Sequence, residues 1–196
     1  ERGGEDLDSL PWPAFHLYPI HDLCLTSIRV EAGRGCPFGC TFCSTASFFG
    51  RKFRLKSAKR ICDEMDYLHN TYGISDFSLT HDLFTVNRAK VVDFCEQFGD
   101  RHYSWACSAR MDCVDAELLA LMRASGCRSI YFGIETGSLR MQRIVHKNQD
   151  LSMVAPTLDV CSTLGLFSTV SLITGYPQEE QDDQDATLDL VGQCFY

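Results

Sequence analysis

Three thiols crowd into eight residues where Gly35-Cys36-Pro37-Phe38-Gly39-Cys40-Thr41-Phe42-Cys43 spaces its cysteines CxxxCxxC. Thiolates this dense on one short loop can converge on a single metallic object, and the glycines let the backbone wrap it. Zinc and an iron–sulfur cluster are the two chemistries that suit such ligands. A structural zinc site wants four ligands, commonly as two CxxC pairs, and the chain has no second pair. Cys24, Cys107 or His81 could supply a fourth ligand, but no spacing demands any of them. Three thiolates on a four-iron cluster would leave one iron open to a non-protein ligand, and an open position is what chemistry needs.

Composition sets the surroundings of that loop. The chain has 196 residues and 11 cysteines, an odd number that cannot pair completely. The cysteine share lies below the roughly 8–10% of a short secreted disulfide scaffold. The opening residues do not read as a secretory signal, so a reduced cytoplasmic compartment is expected. No apolar run approaches the roughly 18–20 residues of a membrane span. Acids outnumber bases 26 to 18, a net charge of −8, which disfavours a broad nucleic-acid-binding face. The other eight cysteines are expected in the core: Cys62, Cys95, Cys161 and Cys194 on helices, with Cys24, Cys107, Cys113 and Cys127 elsewhere.

The elements that must position the loop follow from periodicity. Residues 1–23 read as a connector from an upstream domain, broken by Pro11, Pro13 and Pro19 and packing through Trp12, Phe15 and Tyr18. From residue 24, strands are expected at 25–30, 77–80, 103–108, 129–134 and 168–173. Between them, Ser57 and Asp115 cap helices, Gly73, Gly126 and Gly165 end them, and a last helix covers 183–196. Five β/α units in series imply an α/β class with parallel strands, either an open doubly wound sheet or part of a (β/α) barrel. A complete barrel needs about 250 residues, so a partial barrel is expected. The unusual residues all fall after strands, where ligands gather: the cysteine loop, His81 and Asp82, Arg110, Glu135, and residues 174–179.

The cysteine loop, with aromatic Phe42 before its last thiol, resembles the signature of the radical S-adenosylmethionine superfamily, and the resemblance extends over residues 25–196. The run from Arg34 to Thr45, Gly133-Ile134-Glu135-Thr136-Gly137-Ser138 and Gly175-Tyr176-Pro177-Gln178-Glu179 are similar to the subgroup that includes cobalamin-dependent enzymes. Leu7-Asp8-Ser9-Leu10-Pro11-Trp12-Pro13 resembles the connector that joins a cobalamin-binding domain to the radical domain there. The fold so implied is a TIM-like partial barrel usually of six strands. Five are readable, so residues 24–196 are expected to be a core domain cut before its sixth.

The resemblance also implies roles. Cys36, Cys40 and Cys43 would each ligate one iron of a four-iron four-sulfur cluster, and S-adenosylmethionine would chelate the fourth. Reductive cleavage of its sulfonium would give a 5′-deoxyadenosyl radical that abstracts hydrogen from substrate. Phe42 would lie near the adenine, Glu135 would reach the ribose or the methionine end, Arg110 would hold a carboxylate, and Gly175 would let backbone approach the adenine. Asp82 would receive the methionine ammonium, with His81 standing where the family often has an acid. Implied partners are an electron donor such as flavodoxin or ferredoxin, a small-molecule or peptide substrate, and cobalamin bound by a domain absent from this chain. Cobalamin-dependent methyl transfer is the favoured reaction. The alternatives are methylthiolation, for which no extra cluster domain is visible, and a non-catalytic iron–sulfur or zinc module.

Plainer expectations stand beside these. His81 reads equally as a loop histidine with a satisfied hydrogen bond, and Arg110 with Glu135 as a structural pair. The basic run 51–56 reads as a solvated loop over the thiols, and Phe48-Phe49 as a shield beside them.

Overall fold

The computed structural model describes residues 6–194. In chain order the elements are β1 (Ser27–Glu31), β2 (Gly33–Arg34), α1 (Thr45–Phe49), β3 (Arg54–Leu55), α2 (Ala58–Tyr72), β4 (Asp76–Thr80) and α3 (Arg88–Phe98). There follow β5 (Ser104–Ala109), α4 (Ala116–Ala124), β6 (Cys127–Glu135), α5 (Leu139–Ile144), α6 (Val154–Thr163), β7 (Phe167–Leu172) and α7 (Gln181–Cys194). Five strands form one parallel sheet in the order β1-β4-β5-β6-β7, while β2 and β3 pair antiparallel beside it. The strand order follows the chain without reversal, and the helices touch in the same sequence, α2 to α3 to α4 to α6 to α7. A doubly wound sheet reverses its order and carries helices on both faces. This chain is wound one way, as a partial barrel is.

Local chemistry sets the element boundaries. Ser57, Asn87, Asp115 and Ser138 cap α2, α3, α4 and α5, each accepting a backbone N–H of the first turn. Gly73 ends α2 in the left-handed conformation at φ 72°. The helices turn apolar faces inward: Ile61, Met65 and Leu68 on α2 with Tyr72 half-buried beside them, Val91, Phe94, Cys95 and Phe98 on α3, and Leu118, Leu119 and Met122 on α4. Strand alternation sends Phe77, Leu79, Trp105, Cys107, Ile130, Phe132 and Ile134 to the same layer. At its centre Trp105 is fully buried among Phe84, Phe94 and Phe98, and its indole N–H donates to the Ser125 carbonyl at 2.9 Å. Each such ring stabilises the fold by about 1.5–3 kcal/mol.

Several expectations need correction. The lead-in is pinned down by Leu7, Phe15 and Ile20, with Trp12 resting on Tyr67 beneath the Arg60 guanidinium, whereas Tyr18 is exposed. Cys24 is exposed in the turn before β1, while Cys113, just after β5, and Cys194, at the end of α7, are half-buried; the other five are buried in the core as expected. The run 51–56 is not a solvated loop. Arg54 and Leu55 form β3, and Lys56 is buried 3.3 Å from Glu64. Phe48 is 81% exposed with its ring edge-on to Phe49, and neither lines the cavity onto which the thiols open. Tyr196, where the last helix was expected to end, lies outside the described residues.

The first turn of α7 is clamped to the loop after β6. Arg140 pairs with Asp183, Ser138 donates to the same carboxylate, and the Gly137 N–H donates to Thr187 Oγ1 at 2.9 Å. The Arg140 guanidinium, helped by Ser138, holds the Asp183 carboxyl well below the usual carboxylate range. A depressed carboxylate stabilises above its unfolded pKa of about 3.9 and loses that contribution as pH falls through the folded value. The protection factors of the α7 amides, taken against the unfolded exchange rate at each pH, are therefore expected to fall as pH drops below about 4. Asp183→Asn should exchange faster at neutral pH and lose most of that acid dependence.

Candidate active site

The β1-to-α1 segment is held at its base by close backbone approach. Gly33 and Gly35 leave room where β2 crosses the Arg54 and Lys52 carbonyls, and Gly35 adopts φ 85°. Any side chain at Gly35 would meet the Lys52 backbone. Beyond it the Cys43 N–H donates to the Cys40 carbonyl at 3.2 Å, and the Thr41 N–H donates to the Val145 carbonyl at 3.0 Å. The thiol loop is thus tied to the segment after α5.

Cys36, Cys40 and Cys43 line one cavity of about 460 Å³ at the carboxyl ends of the strands. Asp82, Arg110, Glu135 and Phe42 line it too, so those expected residues are brought together from four different loops. Gly175 is not among them. It lies on the exposed turn after β7 at φ 88°, its N–H donating to Glu179 at 2.6 Å. Its neighbour Tyr176 reaches the rim instead, with its ring 6.2 Å from Phe42. Burial, with Glu135 and Glu179 nearby, pushes the Tyr176 phenol up to about 12.

Arg110 and Glu135 do not pair with each other. Arg110 is buried, donating to Asp112 through Nε at 2.8 Å and Nη2 at 2.7 Å, and Nη2 also reaches the Lys147 carbonyl at 3.0 Å. Its guanidinium sits 4.0 Å from the Phe38 ring centre, and Nη1 has no partner. Glu135 is buried, accepting from Lys147 Nζ at 3.3 Å and Ser171 Oγ at 3.2 Å. It sits at a ladder irregularity with φ 72°, a conformation rarely adopted by a side-chain-bearing residue. Its carboxylate folds back over Gly133, where an added Cβ would strike Glu135 Oε1 and stand 3.0 Å from Lys147 Nζ. That contact explains the glycine in Gly133-Ile134-Glu135.

His81 is a packed loop histidine. Its Nδ1 accepts from the Leu83 N–H at 2.9 Å and its ring lies edge-on to Phe53 at 5.1 Å. Burial pushes its pKa down, favouring the neutral ring. From the sequence alone, no site role is expected for Lys147, Phe38, Tyr131, Arg29 or Tyr176. Lys147 lies in the polar run His146-Lys147-Asn148, which resembles any surface loop, and only tertiary packing buries it.

Burial raises the Cys36 and Cys40 thiols above their ordinary pKa. Cys40, Cys43 and Asp82 push Cys36 further up, while Lys147 and Arg110 pull Cys40 back. These thiols carry protons that a metal would displace, so loading should be easier at higher pH. Among the described residues no three Cys, His, Asp or Glu side chains close on a single ion position, and no fourth cysteine lines the cavity. The donor set therefore suits three corners of a larger object better than a tetrahedral zinc.

The chain is 29% identical over 189 residues to an uncharacterized methyltransferase of Pyrococcus horikoshii, covering 94% of this chain and 41% of that protein. It is 28% identical over 187 residues to the cytidylyl-2-hydroxyethylphosphonate methyltransferase of Streptomyces wedmorensis, covering 88% of this chain and 35% of that one. In fold it resembles the radical S-adenosylmethionine methyltransferase TsrM of Kitasatospora setae, solved with cobalamin and a [4Fe-4S] cluster, with a TM-score of 0.76 at 19% identity. That match covers 87% of this chain and 32% of TsrM. The chain thus spans less than half the length of each of these proteins. The model of the Radical SAM superfamily matches residues 30–191, and the chain belongs to that superfamily.

Proposed function

We propose that this chain is the radical domain of a methyltransferase that uses S-adenosylmethionine, a four-iron cluster and cobalamin, the last held by a domain outside these residues. The observation that carries this reading is the opening of Cys36, Cys40 and Cys43 on one cavity shared with Arg110, Glu135 and Asp82. When bound, the cluster and S-adenosylmethionine supply reductive cleavage of a carbon–sulfur bond and hence radical chemistry. The protein's own residues do the rest. The three thiols hold the cluster, and Phe38 and Phe42 keep water from it. Arg110 has two of its nitrogens committed to Asp112, which leaves Nη1 to donate to the methionine carboxylate. Glu135, steadied by Lys147 and Ser171, would accept from the ribose or the methionine end, and Asp82 from the ammonium. An electron donor of the flavodoxin or ferredoxin kind, a small-molecule or peptide substrate, and a reducing cytoplasm complete the reading. No helix among the described residues is long and apolar enough to cross a membrane.

Anaerobic reconstitution with iron and sulfide tests the proposal. A brown protein that releases 5′-deoxyadenosine or S-adenosylhomocysteine under reduction, the latter only with cobalamin, is expected; a colourless protein holding one zinc would refute it. Gly133→Ala, which pushes the Glu135 carboxylate aside, should keep its iron and bind S-adenosylmethionine at least about tenfold more weakly by equilibrium dialysis. Unchanged affinity would remove Glu135 from the site.

A further inference from the structure

The inner face of a closed barrel is normally filled by layers of bulky branched side chains. Here the cavity-facing positions include Ser78 on β4, Ser108 on β5 and Gly133 on β6, all too small to fill the space between them. Two large side chains stand among them, Arg29 on β1 and Tyr131 on β6, and Tyr131 is 46% exposed. The sheet has left a hydroxyl-lined chamber where a core would be.

The charges around that chamber mostly cancel in pairs. Arg110 is matched by Asp112 and Lys147 by Glu135. Asp76, at the start of β4, accepts from Ser104 Oγ at 2.9 Å, and Glu31 pairs with Arg34 at 2.8 Å. Arg29 alone among the lining cations has no side-chain hydrogen bond or ion pair among the described residues. Asp82 is the lining anion in the same condition, and it stands at the thiol end. Arg29 lies deeper. Its register partner is Ser78, two residues before Thr80 at the end of β4, about 7 Å below the rim at the rise of a strand. A guanidinium presents a fork that matches a carboxylate or a phosphate.

We propose that Arg29 is a substrate-binding residue and that the substrate is a small anion, anchored through a carboxylate or phosphate. Its remainder then runs past Ser78, Ser108 and the Tyr131 ring toward the thiol loop, with the anchored end farthest from the site of radical generation. This rests on the radical reading for the direction of approach, but not for the anion site itself. Because Arg110 has its own free nitrogen at the rim, S-adenosylmethionine does not need Arg29.

The test is equilibrium dialysis of the reconstituted chain against radiolabelled inorganic phosphate and, separately, malonate. One saturable site is expected for at least one anion, and the tighter anion identifies the anchoring group. Arg29→Met should weaken it at least about tenfold, and Arg29→Lys, which keeps the charge and loses the fork, by less. Both variants should retain the parent's iron content and S-adenosylmethionine affinity, since among the described residues no hydrogen bond or ion pair joins Arg29 to the thiol loop or to Arg110. Equal anion binding by parent and Arg29→Met would overturn the proposal. So would the absence of saturable binding to a parent that holds its cluster and S-adenosylmethionine. A parent that binds no iron yet binds anions through Arg29 would instead refute the radical reading and leave the anion site standing.

Discussion

Cys40→Ala is expected to give a colourless protein that releases no 5′-deoxyadenosine. Iron should fall from about four per chain to near zero, because two thiolates cannot hold three corners of a cluster. Cys40 is the informative choice among the three. Burial raises its pKa, and Lys147 and Arg110 both pull it back toward the thiolate that a metal needs. The loop itself should survive the change, since the Thr41 N–H bond to the Val145 carbonyl and the positive-φ Gly35 do not depend on the sulfur. Cys107→Ala is the matched control. Cys107 is buried toward the helices on β5, so its loss should cost some stability and no iron. Iron analysis, absorbance and product chromatography read all three effects. Full colour in Cys40→Ala would refute its role as a ligand.

Lys56→Met should destabilise the fold by about 3–5 kcal/mol, the usual cost of leaving a buried charge without its partner. Lys56 and Glu64 are 4% and 0% exposed, Nζ lies 3.3 Å from one Glu64 oxygen, and the other oxygen has no partner. Glu31 stands 3.9 Å from the same ammonium. The Lys56 N–H also donates to the Ala32 carbonyl at 2.9 Å, so the pair sits directly behind the β2–β3 ladder that bases the thiol loop. Urea midpoints at unchanged slope measure the effect. Lys56→Met with Glu64→Leu should recover most of the loss, because two apolar side chains leave no charge to solvate. A double variant less stable than the single one would show that the loss comes from packing.

The order of elements was legible in the sequence because helical and strand periods report directly which face is buried. Caps at Ser57 and Asp115 and the stop at Gly73 placed α2 and α4 within a residue or two. The two-residue strands β2 and β3 were not legible, since two residues carry no period and their pairing spans twenty positions of chain. The same limit hid the burial of Lys56, whose partner lies on the following helix.

What the sequence determined by itself was the chemistry of one loop: three thiols at fixed spacing, with glycines where the backbone must turn. Short-range spacing is enough there because adjacent ligands need no distant element to bring them together. Tertiary structure alone decided their company. It separated Arg110 from Glu135 by giving each its own partner, Asp112 and Lys147. It also left Arg29 uncompensated above a floor of small residues. Charge pairing depends on distances across strands and loops far apart in the chain, and no local pattern of residues encodes those distances.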